Sequence, residues 1–334
     1  MARVHPFQTN FTSGEISPKL FGQVDFKKYN NAVETMENMT VFPQGGAERR
    51  YGSRFVCEVK NSANATRLVP FEFNIEQSYI LEFGNLYIRF YKDNGQITEA
   101  TKSISAITKA NPAVVTASSH GYSNGDHVWI NDVVGMTEVN ARRYTVANKT
   151  TNTFELSGVD SSNYTTYTSS GTAAKVYEIA TEYTSSQLAE LQFAQSADVM
   201  YIVHPSHEPT KLTRTGHTSW TITDVDFEKG PYLDQNTTDT TLTASATTVG
   251  TGRTLTASAS LFASTDVGRL FKLGTGHGKI TGYTSATEVT VEVLVALTSS
   301  GTKTWSLGAY SNTTGFPRAV SFFEQRLVFA GSTS

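Results

Sequence analysis

The chain has 334 residues, of which 38% are hydrophobic and 17% charged, with a formal net charge of -3 at pH 7. This length indicates several domains, and near-neutrality without long charge runs argues against a protein that grips phosphates by counterion release. A single cysteine, Cys57, excludes an intrachain disulfide framework and a cysteine-rich zinc site, and no apolar stretch reaches the length of a membrane helix.

Residues 1–60 are punctuated by glycine and proline and are assigned to an N-terminal arm. Within the arm, the spacing of Phe26, Tyr29, Val33 and Met36 predicts a short helix over residues 26–39, with Asp25 as its N-cap.

Residues 61–103 and 177–235 are predicted to form one discontinuous β platform. Three strands are expected at 67–73, 78–83 and 86–91, and Gly84-Asn85 between the last two is typical of a tight hairpin turn with positive φ. The apolar run 197–204 predicts a strand that is buried on both faces.

Two blocks rich in Thr and Ser, residues 104–176 and 236–310, are predicted to be small β barrels or sandwiches inserted between platform segments. Residues 311–334 are read as a return to the platform or the start of a propeller-like region. Their last strand, 326–329, looks buried and lacks a following partner, which indicates either a truncated chain or pairing with a neighbour. The expected fold class is therefore mainly β and multi-domain.

The sequence contains few candidates for catalytic or metal-binding residues. His204 and His207 are the best candidates for metal ligands, but their positions are explained more simply by the end of a strand and the turn that follows it. Asp224, Asp226 and Glu228 are predicted to face solvent on an edge strand. The tryptophans are predicted to pack in cores or interfaces rather than bind ligands. We predict no catalytic, cofactor-binding or metal-binding residue, and hence no enzyme.

The arm resembles a known family. Residues 11–22 read FTSGEISPKLFG and residues 43–56 read PQGGAERRYGSRFV. In this order and spacing they resemble the opening of podovirus tail tubular or tail nozzle proteins, which are structural proteins of the phage virion. Residues 315–331, GFPRAVSFFEQRLVFAG, are similar to the point where such proteins enter propeller-like sequence.

A second resemblance lies in the first block. The runs ANPAVVT (110–116), HGYSNGD (120–126) and FELSGVD (154–160) resemble a β module found in phage virion proteins and similar to the first catalytic-cysteine half-domain of ubiquitin-activating enzymes. The block contains no cysteine, so only the scaffold is expected to carry over, without thioester chemistry.

The resemblance to tail proteins implies a subunit of a homo-oligomeric ring, a hexamer, that conducts the genome during ejection. It implies assembly in the host cytoplasm, a place in the virion, and contacts with a head-tail adaptor, with tail fibre or spike proteins and transiently with duplex DNA. The expected interface residues are Glu15, Pro18, Arg49, Arg50 and Arg54. Two alternatives stay open: a receptor- or glycan-binding tail protein, and a head-tail adaptor or decoration protein.

Overall fold

The computed structural model describes residues 8–73, 78–298 and 301–331. The fold is mainly β, as predicted, with 46% of residues in strands and 4% in helices. The helices of the described part are all short 3₁₀ segments: Pro18–Leu20, Tyr29–Asn31, Thr137–Val139 and Ser264–Asp266. The chain divides into two units, Met1–Val56 and Cys57–Ser334.

The first unit contains four very short strands: β1 (Gly14–Glu15), β2 (Ala32–Val33), β3 (Met39–Val41) and β4 (Ala47–Arg49). β1 pairs with β2 in parallel, and β3 pairs with β4 antiparallel. The helix predicted over residues 26–39 is wrong, because a 3₁₀ turn and parts of β2 and β3 occupy that stretch. Helical periodicity yields a helix only when its apolar face packs, and here Phe26 and Met39 are exposed.

The second unit contains twenty-five strands in its described part. In chain order they are β5 (Arg67–Glu72), β6 (Ser78–Gly84), β7 (Tyr87–Lys92), β8 (Gly95–Gln96), β9 (Lys102–Ser103), β10 (Ala106–Ile107), β11 (Val114–Thr116), β12 (His127–Val134), β13 (Arg142–Ala147), β14 (Thr153–Leu156), β15 (Ser169–Lys175), β16 (Glu178–Ala180), β17 (Gln192–Ser196), β18 (Val199–His204), β19 (His207–Gly216), β20 (Ser219–Asp224), β21 (Leu242–Ala244), β22 (Gly250–Ala257), β23 (Leu270–Leu273), β24 (Gly276–Ser285), β25 (Glu288–Val295), β26 (Gly301–Thr302), β27 (Trp305–Leu307), β28 (Ala319–Phe323) and β29 (Arg326–Ala330).

The platform consists of two antiparallel sheets around one core. One sheet has the order β16-β7-β6-β5, with β8 also beside β7, and the other is the meander β17-β18-β19-β20. Trp220 from β20 stacks on Phe90 from β7 with ring centroids 4.5 Å apart. The tight turn after β6 is shifted by one residue from its predicted place: Gly84 still pairs with Tyr87, and the positive φ of 65° falls on Leu86.

The predicted burial of residues 197–204 on both faces holds only at the end of β18. Met200 and Ile202 point into the core, whereas Val199 and Tyr201 are half-buried, so the strand begins with ordinary alternation. Burial becomes continuous from Ile202 to His204.

The first block forms a β barrel with the order β10-β11-β14-β13-β12-β15-β9. β9 and β10 are two parts of one broken strand that closes the barrel. Between them, the Ile104 N–H donates to Gly171 O and the Ser105 N–H donates to Thr116 O, both at 2.9 Å. The core includes Val128, Ile130 and Phe154.

The second block forms a sheet with the order β26-β21-β22-β25-β24-β23-β27, and β26 and β27 again belong to one chain segment. Each block has six strands in chain order when β9 and β10 are counted as one strand in the first block, and β26 and β27 as one strand in the second. With this numbering, both sheets have the same circular strand order: one, two, five, four, three, six. The two blocks therefore share one barrel topology.

The hydrogen-bond register of the two barrels also matches. In the first barrel, the Gly125 N–H donates to Val146 O and the Val146 N–H donates to Asp126 O, at 2.9 and 2.8 Å. In the second, the Gly268 N–H donates to Ile280 O and the Ile280 N–H donates to Arg269 O, at 2.8 and 2.9 Å. Gly125 and Gly268 have φ of 89° and 94°, so both use the freedom of glycine at the same point.

The register on the opposite side of the barrels agrees as well. Val115 faces Phe154 in the first barrel and Leu255 faces Val289 in the second, and all four side chains are buried. Agreement of strand order, register and core positions makes the second block a structural repeat of the first.

The last hairpin, β28–β29, differs from its prediction. Residues 326–329 were expected to be buried, but Arg326, Val328 and the neighbouring Phe323 are exposed. Its described contacts are with the platform and the segment after β20: Phe322 packs on Tyr201, and Phe329 packs on Phe227. A lone two-stranded hairpin buries little of its own apolar surface.

Candidate functional site

The five predicted interface residues lie in the first unit and do not form one cluster. The Glu15 carboxylate accepts the Met36 N–H at 2.8 Å, and Pro18 starts a 3₁₀ turn. Arg49 ends β4, and Arg50 Nη2 donates to Asn38 Oδ1 at 3.3 Å. None of the five forms an ion pair with any residue that the structure describes.

The first unit has almost no interior of its own. Among residues 8–56, Gly45 alone is buried. Several of its large apolar side chains are exposed instead, with Val24 at 72%, Tyr51 at 82% and Phe55 at 77%. Exposed apolar side chains at this density mark a surface that binds another molecule. The first unit is therefore the candidate site, as a surface that could bind another molecule.

The second unit begins with a segment, residues 57–60, that is held on the platform and on the first barrel at once. On the platform side, the Lys60 N–H donates to Tyr87 Oη at 3.3 Å, and Lys60 Nζ lies 2.5 Å from Glu178 Oε1. On the barrel side, Arg143 donates to the carbonyl oxygens of Glu58 and Val59. These contacts fix the start of the second unit, directly after the last residue of the first unit, Val56.

A buried charge cluster lies beneath this segment. Arg89 of β7 is fully buried between Glu82 of β6 and Glu178 of β16, its two cross-strand neighbours. Its Nε donates to Glu178 Oε2 at 2.9 Å, and Tyr87 Oη donates to Glu82 Oε1 at 2.5 Å. Each buried carboxylate thus has a donor, as a buried charge requires.

The cluster shifts the pKa of its members. Burial alone would raise the pKa of Glu178, but the hydrogen bond from Lys60 and the charge of Arg89 lower it below the usual range. Burial, with the charges of Arg89 and Arg143, lowers the pKa of His127 to about 4, so this imidazole is neutral at pH 7.

Sequence reasoning missed this cluster. Its signal is present in β7, where Tyr87, Arg89 and Tyr91 alternate with Ile88 and Phe90, which gives the strand one polar aromatic face and one apolar face. Which carboxylates and which covering segment would meet Arg89 depends on pairing between distant strands, and that pairing cannot be read locally.

The histidine pair does not present a metal site. His204 and His207 face each other across the β18–β19 hairpin with ring centroids 5.2 Å apart. However, His204 Nδ1 accepts the Ser206 N–H at 3.1 Å, so the neutral ring carries its proton on Nε2, directed at Glu190 Oε2 3.9 Å away. Within the described residues, no group of three or more His, Cys, Asp and Glu side chains is placed to hold a metal ion.

Other candidates are structural. His120 is buried, accepts the Tyr122 N–H on Nδ1 at 3.0 Å and packs edge-on against Phe154. Trp220 and Trp305 lie in hydrophobic cores, as predicted. Asp224 ends β20, the edge strand of its sheet, and is exposed. In the described part of the chain, no helix is long and apolar enough to span a membrane.

Comparison with protein families gives a match over the first barrel. Residues 110–177 match the model of the ubiquitin-activating enzyme E1 FCCH domain. The chain is also 32% identical over 126 residues to ubiquitin-like modifier-activating enzyme 1 of Oryctolagus cuniculus, a match that covers 34% of this chain and 12% of that protein. The chain thus spans about an eighth of the length of this relative. The predicted similarity of the first block to a domain of ubiquitin-activating enzymes is confirmed, and the matched residues contain no cysteine.

Proposed function

We propose that the chain is a non-enzymatic structural subunit of a short-tailed phage tail that assembles into a homo-oligomeric ring and conducts the genome during ejection. The observation that carries the proposal concerns the first unit, which is the larger part of the arm: residues 8–56 expose several large apolar side chains and bury only Gly45. Such a segment becomes ordered by binding, and in a closed ring each copy offers the same receiving surface to its neighbour.

The tail assignment rests on the resemblance of residues 11–22 and 43–56 to tail tubular and nozzle proteins. Assembly through the arm agrees with it, because Arg49, Arg50 and Arg54 carry no ion pair within the described chain and suit carboxylates on another subunit. The ring is proposed to be a hexamer in the virion, with an adaptor and tail fibres or spikes as neighbours.

The glycan-binding alternative draws less support. A glycan platform requires exposed aromatic faces, and of the two tryptophans on which this alternative rests, Trp220 is 4% exposed and Trp129 is half-buried. The FCCH-type barrel serves in this proposal as a rigid scaffold, one of two that project from the platform.

Cryo-electron microscopy of the purified chain tests the proposal. We expect a closed six-fold ring whose bore admits duplex DNA. A monomer, or a trimer with a surface groove and no bore, would remove the conduit and favour receptor binding.

A further inference from the structure

The repeat of the barrel makes the two barrel–platform junctions comparable residue by residue. The matched register places His127 of the first barrel in the position of Leu270 of the second, because the Val176 N–H donates to His127 O and the Gly308 N–H donates to Leu270 O. The same register sets Thr145 against Lys279, since His127 pairs with Thr145 and Leu270 pairs with Lys279. Both barrels therefore face the platform with the same end.

At the first junction an extended piece of chain fills the space between barrel and platform. This is the segment 57–60, whose backbone carbonyl groups bind Arg143 of the barrel. Its basic side chain, Lys60, pairs with the platform carboxylate Glu178 at 2.5 Å. The junction thus shows how a basic, extended segment fits between this barrel end and an acidic platform.

At the second junction the corresponding space is a groove of about 250 Å³. Its barrel side includes Leu270 and Lys279, and its platform side carries the carboxylates of Glu208, Asp224 and Asp226. None of these three carboxylates forms an ion pair with a residue that the structure describes.

Apolar rings complete the wall of the groove: Phe227, Tyr310 and Phe316. Burial raises the pKa of Glu208, and the negative charges of Asp224, Glu182 and Asp226 raise it further. The positive charge of Lys279 acts in the opposite direction. The groove therefore has an excess of negative charge beside aromatic faces, a combination that suits guanidinium groups.

We infer that this groove receives residues 49–55 of a second copy of the chain. That segment, RRYGSRF, combines three arginines and two aromatic residues with no acidic residue. Tyr51 and Phe55 are 82% and 77% exposed, so their rings are available for burial. The arginines would pair with Asp224, Asp226 and Glu208 as Lys60 pairs with Glu178. This inference rests on the proposed function and names the surface that the arm uses.

Charge reversal on each side tests the inference, with the mass of the full-length chain in solution read by light scattering. The groove variant is Asp224→Lys with Asp226→Lys, and the arm variant is Arg49→Glu, Arg50→Glu and Arg54→Glu. We expect each variant to remain monomeric at a concentration where the unaltered chain is a ring, and the chain carrying both sets of changes to assemble again. Circular dichroism and the Tm check that each variant is folded.

Matched controls are Glu228→Lys, which reverses a nearby acid outside the groove lining, and Lys27→Glu with Lys28→Glu, which reverses arm charges outside residues 49–55. Both should assemble like the unaltered chain. Mixing the two monomeric variants separates a neighbour's arm from a chain's own arm. The intact arm of one variant then meets the intact groove of the other, and the two sets of reversed charges also complement each other, so an oligomer that contains both variants should form.

The outcomes distinguish this inference from the proposed function. If the groove variant assembles normally while the arm variant does not, the arm binds elsewhere, so the groove assignment is overturned and ring assembly stands. Absence of any mixed oligomer when the two variants are combined also overturns the assignment to a second copy. An unaltered chain that stays monomeric overturns the proposed function itself.

Discussion

Replacing Arg89 with methionine should destabilise the second unit strongly. The side chain is fully buried, its Nε lies 2.9 Å from Glu178 Oε2, and its strand neighbours Glu82 and Glu178 are both carboxylates. Methionine preserves most of the volume but leaves two largely buried negative charges with Lys60 as the nearest cation. Removing one partner of a buried charge group costs about 3–5 kcal/mol.

The low end of that range, about 3 kcal/mol, is expected for Arg89→Met. The Nη1 and Nη2 atoms of Arg89 have no hydrogen-bond partner among the described residues, so the substitution also removes two poorly satisfied groups. The second change Glu82→Gln should recover part of the loss, because a neutral amide needs no compensating charge.

Urea unfolding followed by tryptophan fluorescence measures the effect, since Trp220 lies in the platform core. The deficit of Arg89→Met should shrink as the pH falls, because the charge of Arg89 helps to lower the pKa of Glu178 and this contribution is lost once Glu178 is protonated. Lys303→Met is the control. Lys303 Nζ lies 2.5 Å from Asp239 Oδ1, but the Asp239 side chain is 99% exposed, so little change in stability is expected. A loss below about 1 kcal/mol for Arg89→Met would refute the view that this guanidinium compensates buried carboxylates.

Three further sets of substitutions probe the core, the repeat and the pH dependence. Trp220→Ala should cost about 3–5 kcal/mol in urea unfolding because the ring contacts Phe71, Tyr79 and Phe90; a stable variant that loses only glycan binding would contradict the core assignment. Gly125→Ala and Gly268→Ala should each lower the free energy of unfolding by about 1 kcal/mol or more, because both glycines have a positive φ. The control Gly95→Ala replaces a glycine that does not have a positive φ and should not lower it. Unequal losses for Gly125→Ala and Gly268→Ala would argue that the two positions are not equivalent. The folded-state pKa of His127, about 4, lies below its unfolded value of 6.5, so the unfolded chain gains a proton first and stability falls as pH drops from about 6.5 towards 4. His127→Gln should flatten that part of the curve of Tm against pH, and an unchanged slope would show that another group titrates.

The sequence was most informative where a pattern was local. Alternation predicted the platform strands β5 to β7 close to their observed bounds. Helical spacing in residues 26–39 misled because periodicity does not report whether a core is present to pack against. The apolar residues at 326–329 misled for the same reason: among the described residues, the hairpin contacts the platform and the segment after β20, and these contacts leave Arg326 and Val328 exposed.

The assembly features were only partly readable. Arg49, Arg50 and Arg54 stand out as a basic run, but the carboxylates proposed to receive them come from β19, β20 and the residue pair beyond it, and from no single motif. The repeat of the barrel was also hidden, because its signal lies in strand order and hydrogen-bond register, which sequences of low similarity do not display.

Sedimentation of the full chain beside a chain that lacks residues 1–56 tests the central claim most directly. All three hydrophobic cores lie in the second unit, so the shortened chain should keep its β-type circular dichroism and its Tm. We expect a closed oligomer for the full chain and a folded monomer for the shortened one. The same oligomer from both chains, or a monomer from both, would contradict assembly through the arm.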